Sequence, residues 1–107
     1  TKEIQLSRKF QLSDDLFKSD AIVIKHPPFQ SIGFGKINGP KILSLHCDTW
    51  TAVGLWTKPG APFFCIEPWW GWADALDSSG NINEKEGIMS LASRRHSTHK
   101  YCIEFRE

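Results

Sequence analysis

No stretch of this sequence sustains a helical repeat; short β-branched and aromatic runs are cut instead by proline, glycine and asparagine. Several short strands at close spacing with turn signals between them point to an antiparallel sheet protein. Residues 21–24 (Ala-Ile-Val-Ile) are one such run, ended by His26-Pro27-Pro28 because proline has no N–H for a ladder. A short strand over 31–34 leads into the turn Asn38-Gly39-Pro40. Residues 42–47 set Leu43, Leu45 and Cys47 against Ser44 and His46, the alternation of a half-buried strand. Two more strands, 53–56 and 63–67, are joined by the turn Lys58-Pro59-Gly60-Ala61.

The flanks are less regular. Residues 1–11, with Ile4, Leu6 and Phe10 among polar neighbours, read as a strand or an extended arm. Ser13 is placed to cap one helical turn over 14–17. Residues 77–81 are a loop, and 87–91 and 101–105 are expected to close the fold as strands around a basic hairpin turn. The expectation is an all-β antiparallel sandwich.

A net charge of +1 over 107 residues makes no electrostatic case for nucleic acid or an anionic membrane. No apolar run is long enough for a transmembrane helix. At this length the chain is one domain or less, and a start at Thr1 fits a segment of something longer. Cys47, Cys65 and Cys102 lie in strand-like contexts without a Cys-x-x-Cys pair, so they read as buried small residues of a reducing, cytoplasmic compartment.

Glu67 is the residue that strand chemistry alone does not explain. It closes the apolar run Phe63-Phe64-Cys65-Ile66 and is followed at once by Pro68, Trp69 and Trp70. Alternation sets Phe63, Cys65 and Glu67 on one face, Phe64 and Ile66 on the other. A carboxylate there is costly unless paired, hydrogen-bonded or held for chemistry. From residue type alone, pairing with Lys58 or a backbone amide at the strand end is the favoured reading.

The surrounding residues reverse that order. Residues 56–63 (Trp-Thr-Lys-Pro-Gly-Ala-Pro-Phe), then Cys65-Ile66-Glu67-Pro68-Trp69, Gly71, Ala73-Asp74 and Glu84-Lys85-Glu86-Gly87-Ile88, form a long, aromatic-rich pattern. It resembles the aldose 1-epimerase (galactose mutarotase-like) family, in the branch associated with lactose operons. The resemblance covers most of the chain and only the C-terminal part of a full-length member. It implies that residues 1–107 are a partial galactose mutarotase-like domain whose parent binds a hexose and interconverts its anomers without a cofactor. Glu67 then matches the family's general base, which takes the anomeric proton while an acid protonates the ring oxygen. Asp20, before the strand at 21–24, looks like the family's sugar-binding aspartate; a plain turn acid explains it equally well. The family's acid is a histidine well upstream, and neither His26 nor His46 sits in a matching motif. A carbohydrate-binding relative without turnover is the alternative.

Trp69 and Trp70 are candidate stacking surfaces for a pyranose, with Trp56 and Trp72 as further aromatic faces and Trp56 more fitted to the core. Lys58 is a candidate sugar contact beside its plainer reading as a solvated turn lysine. His96 and His99 lie among Arg94, Arg95 and Lys100, where a hairpin turn is preferred to a metal site, and this segment departs from the family pattern. A partial sandwich leaves strand edges without neighbours, which predicts an oligomer or association with the rest of the domain.

Overall fold

The computed structural model describes residues 8–106; Ile4 and Leu6 of the expected N-terminal arm lie outside them. Six strands follow in chain order: β1 (Ile22–Lys25), β2 (Ser31–Gly35), β3 (Lys41–His46), β4 (Ala52–Trp56), β5 (Cys65–Trp69) and β6 (Cys102–Phe105). They form two antiparallel three-stranded sheets, β1-β4-β5 and β2-β3-β6. The fold is all-β, in the manner of a sandwich.

The core is what the alternation puts between the sheets. Phe17, Ile22, Leu45, Cys47, Trp50, Val53 and Leu55 form one buried cluster, with Ile24, Phe64, Ile66 and others packed against it. Trp50 can be buried because its indole N–H donates to the Phe29 carbonyl at 3.1 Å. Asn38, at φ 55°, makes the β2–β3 turn, where the Gly39 N–H donates to the Lys36 carbonyl at 3.0 Å.

Three expectations change in detail. The turn at Asp14–Phe17 is a 3₁₀ helix after Ser13, but the Ser13 side chain makes no capping bond; its carbonyl accepts the Leu16 N–H at 3.2 Å instead. On its exposed side Asp15 and Lys18 pair at 2.8 Å; hydrogen bonding and charge lower the Asp15 pKa and raise that of Lys18. The strand expected at 63–67 starts two residues later, at Cys65. The Thr57 hydroxyl takes the Phe63 carbonyl, which removes it from the ladder, and the strand runs on through Pro68. Proline is tolerated there because β5 is an edge strand.

The third change is the largest. Residues 87–91 form no strand, so the basic segment 94–100 is not a hairpin turn. Gly87 adopts φ 78° and the Ile88 N–H closes a turn onto the Lys85 carbonyl at 3.3 Å. β6 therefore pairs with β3, and 70–101 form a strandless excursion with one 3₁₀ turn, Ile82–Glu84. The radius of gyration, 15.9 Å, exceeds the roughly 13 Å of a compact domain of this length. Cysteine burial is uneven too: Cys47 is buried, Cys65 half-buried and Cys102 exposed, all as free thiols.

Candidate functional site

The face of the β1-β4-β5 sheet turned away from the core carries the candidate site. Directly opposed residues of antiparallel strands share a face, so the register stacks Val23, Gly54 and Glu67 in one row and Lys25, Ala52 and Trp69 in the next. β4 contributes only small residues to these rows, leaving space above them. Trp69 uses that space: a Cβ placed on Gly54 would lie 2.8 Å from the Trp69 Cζ2. The glycine is there because the indole lies on it.

Laid across β4, the Trp69 indole donates its Nε1–H to the Glu67 Oε2 at 3.0 Å. The carboxylate is half-buried beside an aromatic surface and keeps its other oxygen for a further donor. Among the described residues no ion pair involves Glu67 or Lys58. The pairing with Lys58 suggested by residue type is thus replaced by a bond to the next side chain on the same face.

A charged and aromatic cluster continues this face. The Lys25 ammonium lies 3.4 Å from Glu86 Oε2 and 4.8 Å from the Trp72 ring centroid. His26 meets Trp72 edge-on at 5.7 Å, and Gly87 admits the Trp72 ring, which a Cβ there would meet at 2.7 Å. Lys85 pairs with Asp74 at 3.1 Å. The segment after β5 thereby folds back beside the first strand.

The other sequence candidates lie apart from Glu67. Asp20 has φ 85° and caps the start of β1, its Oδ1 accepting the Ala21 N–H at 2.8 Å. It precedes β1, three positions from the Glu67 row and two strands over from β5. Lys58 is exposed on the turn beyond β4. Trp70 takes the alternation opposite to Trp69: it packs against the core cluster, donates to Thr49 Oγ1 at 3.3 Å and lies 4.5 Å from the His99 ring. Trp56 is half-buried against Phe63 at 5.6 Å. Glu67 and Trp69 are the two candidates brought into contact.

Neither of the histidines upstream of Glu67 is bonded to it. His26 follows the end of β1, three positions from the Glu67 row, and packs against Trp72. His46 belongs to the second sheet, 3.8 Å from Glu104. Among the described residues no three His, Cys, Asp or Glu side chains are placed to hold a metal ion, and no helix is long and apolar enough to cross a membrane.

Between the sheets, on the opposite side of β5, opens a cavity of about 390 Å³ lined by Phe34, Leu43, Pro62, Phe63, Phe64 and Ile66. Its lining has no side-chain hydrogen-bonding group, so it does not suit a sugar. Sequence reasoning missed Gly54, Lys25 and Glu86. An isolated glycine inside a strand signals a close approach; the Lys25–Glu86 pair spans 61 positions and has no local signal. No family model, curated protein or solved structure matches this chain.

Proposed function

We propose that this chain is the base-bearing part of an aldose 1-epimerase-like protein acting on a hexose. The observation that carries the reading is the half-buried Glu67 carboxylate, fixed by the Trp69 indole on an exposed sheet face. In this reading Glu67 takes the proton from the anomeric hydroxyl as the bond from C1 to the ring oxygen breaks, and a separate acid protonates that oxygen. The open-chain carbonyl rotates, and reclosure returns both protons. Trp69 positions the base and offers its ring to the sugar's C–H face. Asp20 and Lys58 lie apart from Glu67 and Trp70 turns to the core, so none of the three enters this reading of the site; a cytoplasmic location accords with three free thiols.

His26 meets Trp72, His46 meets Glu104 and His99 meets Trp70 rather than Glu67, which favours a second reading: carbohydrate binding without turnover. Glu67→Gln in the complete protein separates the two. Loss of the base should lower turnover by about 10²–10⁴-fold with little change in sugar affinity. Polarimetry of anomer interconversion reads the first quantity and calorimetric titration the second. Weakened affinity with intact turnover would sink the epimerase reading. In the 107-residue chain, a hexose titration should move the Trp69 indole N–H resonance.

A further inference from the structure

Among the described residues the second sheet has a free edge along β6. The Arg106 N–H donates to the Ile42 carbonyl at 2.9 Å, in the same register that opposes Ser44 to Glu104 and His46 to Cys102. Antiparallel alternation then aims the N–H and C=O groups of Ile103 and Phe105 outward, away from β3. Their side chains, 43% and 74% exposed, stand on the core side of the sheet opposite Leu45 and Leu43. Leu43 also lines the apolar cavity, so that surface continues to the edge without a cover. Glu104 and Arg106 occupy the other face, 3.2 Å apart and half-exposed.

We propose that a second copy of this chain pairs on this edge, β6 against β6 antiparallel, about a two-fold axis perpendicular to the sheet at Phe105. Charge selects the register. Outward-facing groups can meet with the axis at Ile103, at Glu104 or at Phe105. An axis at Glu104 sets Glu104 against itself, and one at Ile103 brings Lys100 toward Arg106 of the other copy. The axis at Phe105 opposes Glu104 to Arg106 of the other copy twice and stacks the two Phe105 side chains across the join. Opposite charges and aromatic pairs stabilise directly opposed positions, and like charges destabilise them. The product is a continuous sheet in the order β2-β3-β6-β6-β3-β2, an isologous contact that closes on itself. It lies on the sheet that does not carry Glu67, so it stands or falls independently of the proposed chemistry.

The test is sedimentation equilibrium of the 107-residue chain over a concentration series, with near-ultraviolet circular dichroism as the check on folding. The wild type should form dimers and no larger species. Glu104→Arg and Arg106→Glu should each weaken the dimer about tenfold or more, since each turns two attractive pairs into repulsive ones. The double variant, with both charges exchanged, should recover it. Having two single variants guards against one that fails to fold. A monomeric wild type, undiminished dimer in a folded single variant, or a folded double variant that stays monomeric would each overturn the proposal.

Discussion

β4 and β6 are both short and mostly apolar, Ala-Val-Gly-Leu-Trp against Cys-Ile-Glu-Phe, yet their fates differ. In β4, Ala52 and Val53 are fully buried and Leu55 is 3% exposed, whereas every residue of β6 is exposed. β4 has a strand on each side, the buried core on one face and the Trp69 indole on the other. Among the described residues β6 has β3 alone as a partner, and Ile103 and Phe105 stay exposed. Hydropathy made both strands; the number of neighbours decided what each one buries. A strand with two neighbours and a cover stabilises the fold, while one with a bare edge is a place for another chain to attach.

The largest effect that could break this contrast is Val53→Asp. An unpaired carboxylate at a fully buried position costs several kcal/mol, comparable to the whole stability of a small domain. Urea denaturation followed by tryptophan fluorescence should show no cooperative transition; a retained transition would mean that β4 is not the centre of the core.

Gly54→Ala should come next, at about 1–3 kcal/mol, because the added methyl meets the Trp69 ring at 2.8 Å and the ring must lift. The same variant sharpens the account of the site. Lifting the indole breaks its bond to Glu67, so the Trp69 N–H resonance should shift, and an unmoved resonance would count against that geometry.

Smallest is Ile103→Asp, the same chemical change as at Val53 placed on β6. In dilute, monomeric protein it should alter stability by no more than about 0.5 kcal/mol, since a 43% exposed edge residue can hydrate its new charge. A loss approaching that of Val53→Asp would place β6 in a core and erase the distinction.

Much of the sheet was legible locally. The runs at 21–24, 31–34, 42–47, 53–56 and 101–105 became strands within a residue or so, because alternation and turn chemistry act over a few positions. The run at 87–91 looked equally apolar and formed none: Ile88, Met89 and Leu91 remain exposed, and among the described residues no strand pairs with this segment. A strand needs a neighbour to satisfy its backbone, and an apolar pattern does not supply one. At the site, the contact between Glu67 and Trp69 follows from their spacing of two on one strand. The same rule, carried one residue further, sends Trp70 to the opposite face.

By itself, then, the sequence determined that this protein is all-β, where its turns fall, and that Glu67 and Trp69 share a face. Only the tertiary structure decided that β1 lies beside β4, that Gly54 is the bed for an indole, that Lys25 meets Glu86, and that β6 is left at an open edge. The physical reason is range. Side-chain alternation and backbone turns are set by neighbours in sequence, whereas strand order, burial and ion pairs depend on segments tens of residues apart that meet only once the sheets have formed.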